Sequence, residues 1–256
     1  MNRIQTLFEK SSNKLIPFFT AGYPELESTV DLVLSAVDAG ADMIEIGIPY
    51  SDPQADGPII QRSSQKALEN GIRIKTIFDQ VERIRKKTNI PILLMSYYNP
   101  ILKWGHDKFL DKCVSTGVDG LILSDLPYEE AKPFCEFSKI KGISPILLVA
   151  PNTDNKRIEQ ISQLSGDLVY VVSILGVTGN NLTSKDQLSS YLNRVRENCV
   201  CKFVVGFGIS SREDVEWFNK YSDGAVVGSA IIKNLDENKN HIKATYDFIT
   251  SLKGEI

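Results

Sequence analysis

The stretch IEIGIPYSDPQADGP (residues 44–58) joins a short apolar run to a rigid acidic loop. Because side chains alternate along a strand with period two, its three isoleucines share one face and Glu45 lies on the opposite face. The two later prolines restrict the backbone, and Gly57 permits a turn that other residues resist. A carboxylate on an apolar strand is costly to bury, so the rest of the chain must show what encloses it.

Runs with the same β-rich apolar character recur along the chain, separated by amphipathic helical segments. The eight predicted strands, in order, are 15–21, 42–48, 90–97, 120–124, 144–150, 167–173, 202–208 and 224–229. Nearly continuous apolar strands, each followed by a helix, are typical of a parallel sheet covered by helices. At 256 residues, a closed (β/α)₈ TIM barrel fits better than an open doubly wound sheet.

Both ends of the chain also fit a barrel. Ile4, Leu7 and Phe8 follow helical spacing, which predicts an extra N-terminal helix that closes the bottom of the barrel. The segment HIKATYDFITSLK (residues 241–253) predicts the last outer helix. No linker or low-complexity segment divides the chain, so we expect residues 1–256 to form a single TIM-barrel domain.

Composition and charge exclude several classes of protein. With 42% hydrophobic and 24% charged residues and a net charge of −3, the chain has the profile of an ordinary globular protein. The one dense basic cluster, RIRKK (residues 83–87), is expected at the end of a helix, so we expect no nucleic-acid role. No run approaches the roughly 20 apolar residues of a membrane span, and no secretory leader is evident, which predicts an intracellular protein with no membrane role.

The four cysteines, Cys113, Cys135, Cys199 and Cys201, are too few for a disulfide scaffold in a chain of this length. The pair Cys199 and Cys201 has neither the usual zinc spacing nor a nearby histidine in the sequence. We therefore expect all four to be reduced, buried thiols.

Glu45 is expected to point into the barrel near its upper mouth, where the functional groups of TIM barrels lie. Burial there is expected to raise the pKa of its carboxyl group toward neutrality. The alternative is a structural glutamate paired with a cation. The inward positions of neighbouring strands supply no cation, which favours a functional acid; these positions are Phe18, Thr20, Leu93, Met95 and Tyr170.

Two aspartates in the following loop compete for the role of a second carboxylate. Asp52 lies in a Ser-Asp-Pro sequence, where a local turn contact is the simpler explanation. Asp56 lies farther along, before Gly-Pro, and can reach over the barrel mouth, although a solvated loop aspartate is the competing interpretation.

Three glycine-bearing loops follow the last three predicted strands. They are GVTG (residues 176–179), GFGIS (206–210) and GSAIIKNL (228–235), the last of which opens a short helix. Backbone N–H groups of glycine turns and of a helix N-terminus bind phosphate without a lysine. Each glycine alone indicates only a turn, but all three at the top of one barrel predict a phosphate site.

Several of these motifs resemble, in order and spacing, the tryptophan synthase alpha subunit family over nearly the whole chain. They are PFFTAGYP (residues 17–24), IEIGIPYSDPQADGPIIQ (44–61), LMSYYNP (94–100), LSDLP (123–127), YVVSILGVTG (170–179), VGFGIS (205–210) and GAVVGSAI (224–231). The segment PYSDPQADGP (residues 49–58) is the most specific of them.

This resemblance implies a lyase of tryptophan biosynthesis that cleaves indole-3-glycerol phosphate into indole and glyceraldehyde 3-phosphate, with no cofactor and no metal. Glu45 matches the family's general acid/base, and Asp56 matches the carboxylate that binds the indole N–H. The resemblance also implies a tryptophan synthase beta subunit as partner in an alpha2beta2 heterotetramer, and a cytoplasmic location, or the plastid stroma in a plastid-bearing organism.

Further substrate contacts are implied by the same resemblance. Phe18, Leu94 and Tyr97 match walls of the indole pocket, and Tyr170 matches a tyrosine beside the catalytic glutamate. Thr178 matches a residue of the mobile loop that closes over the site in the family. The residues that match phosphate contacts are Gly179, Gly208, Gly228 and Ser229.

The chain departs from the family pattern at two places. Ile174 and Leu175 stand where the family commonly has a polar or basic residue, which bears on lid closure. Gln54 replaces a residue that is often apolar at the rim where the beta subunit docks.

Two alternatives stay open at this stage. Another phosphate-binding barrel, such as an indole-3-glycerol phosphate synthase or an isomerase, is expected to use a lysine on a strand, and no predicted strand has one in its apolar part. A non-catalytic regulatory subunit that activates a beta-type partner is the second, but it has little reason to keep a buried acid.

Overall fold

The computed structural model describes residues 2–10, 13–173 and 184–254. Within these ranges the strands are β1 (Lys14–Thr20), β2 (Ile44–Gly47), β3 (Ile92–Ser96), β4 (Gly120–Leu123), β5 (Ser144–Ile146), β6 (Leu148–Val149), β7 (Leu168–Val172), β8 (Lys202–Gly206) and β9 (Gly224–Val227). The helices are α1 (Arg3–Lys10), α2 (Ser28–Asp38), α3 (Pro58–Glu69), α4 (Ile74–Arg85), α5 (Tyr98–Trp104), α6 (His106–Thr116), α7 (Tyr128–Ile140), α8 (Asn155–Ser165), α9 (Lys185–Asn198), α10 (Arg212–Asn219), α11 (Ser229–Glu237) and α12 (His241–Lys253).

The strands form one parallel sheet in the order β5-β4-β3-β2-β1-β9-β8-β7-β6. The two ends of this order, β5 and β6, are parts of one predicted strand, so the sheet closes on itself as an eight-stranded barrel. The two parts are separated at Leu147, whose N–H donates to the Ser165 hydroxyl at 3.2 Å instead of to a neighbouring strand. The predicted TIM barrel is therefore confirmed.

Two layers of apolar side chains fill the structure. Inside the barrel, side chains from the strands pack with Ile4 and Phe8 of α1, and Leu7 packs against the same cluster. The helix α1 thus closes the bottom of the barrel, as its helical spacing predicts. The second layer lies between the sheet and the outer helices, and it contains the isoleucines at 44, 46 and 48. Among the described helices, none is long and apolar enough to cross a membrane.

Aspartates just before alternate barrel strands hold the lower end of the barrel together. The carboxylate of Asp42 accepts the N–H of Leu15 at 2.8 Å, and that of Asp119 accepts the N–H of Ile92 at 2.8 Å. Asp223 repeats the contact with a strand N–H at 3.1 Å. Each of these carboxylates ties the start of one strand to the start of its neighbour, and each also pairs with basic side chains. The carboxyl ends of the strands are left for the functional site.

Candidate active site

A cavity of about 290 Å³ opens at the carboxyl ends of the strands. Most of its wall is apolar, which suits an aromatic ligand. The lining residues are Phe18, Glu45, Asp56, Gly57, Pro58, Ile59, Ile60, Met95, Tyr170, Phe207, Gly208, Ile209, Val226, Gly228 and Ser229. Of the predicted site residues, the structure thus brings Phe18, Glu45, Asp56, Tyr170, Gly208, Gly228 and Ser229 together around one cavity.

Glu45 reaches this cavity from the inner face of β2, where its side chain is 1% exposed. Neither of its carboxylate oxygens has a hydrogen-bond partner among the described residues. Burial, together with a smaller effect of the charge of Asp56, raises the pKa of Glu45 to about 8. The side chain is therefore a neutral acid near pH 7, and it keeps both oxygens available for a ligand.

Asp56 extends into the same cavity from the loop between β2 and α3, and hydrogen bonds fix its position. The Tyr97 hydroxyl donates to its Oδ2 atom at 3.1 Å and accepts the Ala55 N–H at 2.9 Å. The Gln61 side chain donates to the Asp56 carbonyl at 2.8 Å. Burial raises the pKa of Asp56 to about 6, although the Tyr97 hydrogen bond lowers it. Asp56 is therefore mostly an anion near pH 7.

Asp52, the competing aspartate, does not line the cavity. It is exposed, and its carboxylate accepts the hydroxyl hydrogen bond of the adjacent Ser51 at 2.7 Å. This local contact agrees with the interpretation of Asp52 as a turn residue. The structure favours Asp56 as the second carboxylate.

Two glycines make room for the aromatic side chains beside Glu45. A Cβ at Gly206 would lie 1.9 Å from the Tyr170 hydroxyl, and a Cβ at Gly47 would lie 2.5 Å from the Phe18 ring. Tyr170 is buried, and burial together with the charges of Glu45 and Asp56 raises its pKa well above the ordinary value. The tyrosine therefore stays protonated beside Glu45 and is able to donate a hydrogen bond.

The loops after β8 and β9 form the other side of the cavity. Gly208 has φ +76°, a conformation that favours glycine, and Gly228 is the N-cap of α11, whose first residue is Ser229. The first N–H groups of a helix have no partner within the helix, and its N-terminus carries partial positive charge. No lysine or arginine is among the lining residues that the structure describes, so an anion here is held by backbone dipoles.

The third glycine loop lies outside the described residues. Thr178 and Gly179, as well as Ile174 and Leu175, fall within positions 174–183. Their predicted roles stay predictions. Gln54 is described, and it is exposed on the loop that carries Asp56.

The prediction that Leu94 walls the pocket is wrong. Leu94 packs in the outer layer between sheet and helices, whereas Leu93 and Met95 belong to the cluster inside the barrel. The cause is the alternation of β3, which turns every second side chain outward. Tyr97 does not line the main cavity either; it lies in a small adjoining space and contacts Asp56.

Sequence reasoning missed several lining residues. The alternation along the strands already pointed to Met95, and the same signal was present for Val226. Phe207 and Ile60 enter from loop and helix positions, for which strand alternation makes no prediction. Among the described residues, no group of three His, Cys, Asp or Glu side chains is close enough to hold a metal ion.

The closed parallel barrel, with a carboxyl-bearing cavity at the carboxyl ends of its strands, defines the class of TIM-barrel enzymes. A family model described as "Tryptophan synthase alpha chain" matches residues 4–255. The tryptophan synthase alpha chain of Petrotoga mobilis is 44% identical over 257 residues, which is 99% of both chains. That of Flavobacterium psychrophilum is 42% identical over 240 residues, covering 93% of this chain and 95% of the relative.

Solved structures agree. The tryptophan synthase subunit alpha of Legionella pneumophila superposes with a TM-score of 0.91 at 34% identity, covering 99% of this chain and 97% of the other. A chain of the tryptophan synthase complex of Pyrococcus furiosus gives a TM-score of 0.88 at 37% identity, covering 95% and 99%. The chain belongs to the tryptophan synthase alpha chain family.

Proposed function

We propose that this chain cleaves indole-3-glycerol phosphate into indole and glyceraldehyde 3-phosphate, with Glu45 as the general acid/base and Asp56 as the anion that binds the indole N–H. It thereby acts as a lyase of tryptophan biosynthesis. The observation that carries these roles is the buried Glu45 carboxyl group, which has no hydrogen-bond partner among the described residues and shares one cavity with Asp56. Family membership supports the reaction.

Glu45 moves the proton. Its pKa of about 8 leaves the carboxyl group mostly protonated at neutral pH, so it is ready to protonate C3 of the indole ring. The glutamate that results accepts the proton of the glycerol hydroxyl next to the breaking bond. The bond between the indole C3 and the glycerol carbon then breaks, and the electron pair that held it stays with the indole ring as the aldehyde forms.

Asp56 stabilises the positive charge that C3 protonation places on the indole nitrogen. With a pKa of about 6 it is ionised at neutral pH, and the Tyr97 hydroxyl fixes its position. An anion that is held in place before the reaction needs no reorganisation as charge develops. The apolar walls, including Phe18 and Met95, enclose the ring and exclude water from it.

The phosphate group is expected at the N-terminus of α11, next to Gly208, Gly228 and Ser229. This end of the cavity offers the first N–H groups of α11 together with the Gly208 turn, and neither carries a negatively charged side chain. Binding energy from the phosphate holds the reacting carbon beside Glu45.

Purified protein supplied with indole-3-glycerol phosphate tests this proposal through the release of indole. Glu45→Gln is expected to lower turnover by about 10²-fold or more, because general acid/base catalysis contributes that much. The variant is expected to bind inorganic phosphate as the wild type does, since the α11 end is unchanged. Wild-type turnover in Glu45→Gln would show that the catalytic assignment is wrong.

Among the similar solved structures is one described as the tryptophan synthase a2b2 complex of Pyrococcus furiosus, with mutual activation. We infer that this chain likewise assembles with a beta subunit as an alpha2beta2 heterotetramer, and that the exposed Gln54 loop is near the contact. Mixing with a beta subunit is expected to increase the rate of indole release and to produce a larger species in size-exclusion chromatography. A chain that activates the beta subunit but never releases indole is instead a regulatory subunit.

We further propose that residues 1–256 act as one domain and that the reaction takes place in the cytoplasm. The packing of α1 against the inner cluster and of α12 against α2 supports one domain. A phosphorylated substrate does not cross membranes unaided, which supports a reaction in the compartment where that substrate is made. Cell fractionation checks the location, and limited proteolysis that releases a stable half of the chain would contradict the single domain.

A further inference from the structure

Cys199 and Cys201 lie in the short turn between α9 and β8, at the amino-terminal end of the barrel strands. Both side chains are partly exposed, and Val200 between them is 62% exposed. The expectation of buried thiols holds for Cys113 and Cys135 and is wrong for this pair. The turn places both side chains at the edge of the outer apolar layer, against which they still pack.

The two sulfurs are close and chemically unequal. They lie 4.0 Å apart, within contact for an S–H hydrogen bond. That hydrogen bond, an interaction with the Ser162 hydroxyl and the charge of Arg196 lower the pKa of Cys199, although burial opposes them. The same bond, burial and the negative charges of Asp167 and Asp223 raise the pKa of Cys201. One sulfur is therefore readily a thiolate, and its neighbour is a protonated thiol.

We propose that Cys199 and Cys201 form a reversible intramolecular disulfide, which makes this turn a site of oxidation by low-molecular-weight disulfides such as oxidised glutathione. The Cys199 thiolate attacks one sulfur of oxidised glutathione, the S–S bond of that molecule breaks, and one glutathione thiolate leaves. Cys201 then loses its proton and attacks the Cys199 sulfur, and the second glutathione thiolate leaves. Two protein thiols are oxidised and one glutathione disulfide is reduced to two thiols.

The arrangement favours closure within the turn over a lasting mixed disulfide. The sulfurs, 4.0 Å apart, must approach by about 2 Å to reach bonding distance, and rotation about their side-chain bonds moves them by distances of that order. Once Cys199 is bound to glutathione it carries no charge, so its contribution to the raised pKa of Cys201 disappears. The resolving thiol is thus activated by the first step.

The disulfide is expected to be reversible rather than structural. The stabilisation that a disulfide gives by constraining the unfolded chain grows with loop length, and a single residue separates these cysteines. Disulfides that are exposed and contribute little stability are the easily reduced ones. Disulfides in intracellular proteins are mostly of this transient kind.

The experiment treats the full-length protein with oxidised glutathione, quenches with acid, alkylates the remaining thiols under denaturing conditions and digests with trypsin. Cleavage after Arg196 and Lys202 gives ENCVCK (residues 197–202), which holds both cysteines. We expect this peptide to lose both alkylation sites, to be lighter by two hydrogens and to recover with dithiothreitol. The peptides with Cys113 and Cys135 are internal controls that stay alkylated.

Two variants assign the roles. Cys201→Ser is expected to accumulate a stable glutathione adduct on Cys199, because the resolving thiol is gone. Cys199→Ser is expected to react more slowly than Cys201→Ser, because burial and the charges of Asp167 and Asp223 still disfavour the Cys201 thiolate, whereas the charge of Arg196 still favours the Cys199 thiolate. Unchanged thermal unfolding midpoints of the reduced variants show that both are folded.

The proposal is overturned if the wild type keeps a stable glutathione adduct, if both thiols stay free, or if a non-reducing gel shows linked pairs of chains. Faster reaction of Cys199→Ser than of Cys201→Ser also overturns it. The reduced double variant Cys199→Ser/Cys201→Ser is expected to release indole at the wild-type rate, since the pair lies at the opposite end of the strands from Glu45. The result of the thiol experiment is therefore independent of whether the chain cleaves indole-3-glycerol phosphate.

Discussion

Replacing Glu45 with glutamine is expected to stabilise the protein above pH 5 although it lowers turnover. The folded-state pKa of about 8 lies above the ordinary value of 4.5, so the folded protein holds this proton more tightly than the unfolded chain does. The contribution of this proton to the free energy of unfolding is fully present below pH 4.5, and it is lost as the pH rises through the folded-state pKa of about 8. Glutamine has nearly the same shape and never ionises, so the variant is free of that loss.

The size of the effect follows from the shift. One pKa unit corresponds to about 1.4 kcal/mol, so the wild type loses about 2 to 3 kcal/mol between pH 5 and pH 7 through this group alone. The loss levels off at about 4 to 5 kcal/mol above pH 8. Because the other titrating groups are common to both proteins, they largely cancel when the variant and the wild type are compared.

Urea unfolding at pH 5, 7 and 8 measures the difference in the free energy of unfolding. We expect the free energy of unfolding of Glu45→Gln, relative to that of the wild type, to increase by about 2 to 3 kcal/mol from pH 5 to pH 7. Glu237→Gln, at an exposed position at the end of α11, is the matched control and is expected to track the wild type at every pH. A difference between Glu45→Gln and the wild type that does not change with pH would refute a strongly raised pKa.

Three further predictions concern the rate and the scaffold. Turnover needs Glu45 protonated and Asp56 ionised. The rate of indole release is therefore expected to peak near pH 7 and to fall to half near pH 6 and pH 8. A rate that still rises above pH 9 contradicts this prediction. Tyr97→Phe removes the hydrogen bond that lowers the pKa of Asp56, so the acidic half-point of the rate profile is expected to move up; an unmoved half-point means that the hydroxyl has no such effect. Asp119→Ala removes a buried carboxylate that binds a strand N–H and two arginines, and it is expected to lower the free energy of unfolding by about 3 kcal/mol, measured with urea. The control Asp111→Ala, at an exposed position, is expected to lower it by less than about 1 kcal/mol. Equal losses would contradict the role of Asp119.

The sequence predicted the barrel well because each strand carries its own signal. An apolar run followed by an amphipathic helix can be recognised within a short stretch of sequence. The alternation of residues 43–47 was enough to place the Glu45 side chain inside the barrel. The same alternation, applied to β3, assigns Leu94 to the outer layer and Met95 to the cavity. The prediction for Leu94 was wrong because it followed the family resemblance instead of this pattern.

Other features could not be read from the sequence. The helices α3 and α5 were not predicted, although Pro58 at the first position of α3 is a local sign of a helix start. The hydrogen bond that fixes Asp56 joins it to Tyr97, 41 positions away, and local periodicity carries no information about such a pair. The space that the Phe18 and Tyr170 side chains occupy depends on Gly47 and Gly206, and the local sequence does not show which side chain lies against either glycine.

Asp42, Asp119 and Asp223 stabilise the amino-terminal end of the barrel, which is called the base here, and the loops at the carboxyl ends of the strands form its rim. Asp42, Asp119 and Asp223 bind strand N–H groups at the amino-terminal ends of neighbouring strands, away from the cavity. Loops on the rim are therefore at liberty to vary in length and composition without loosening the strands that carry them. An engineer who exchanges rim loops for a new substrate can therefore keep these aspartates and the strands that they join unchanged.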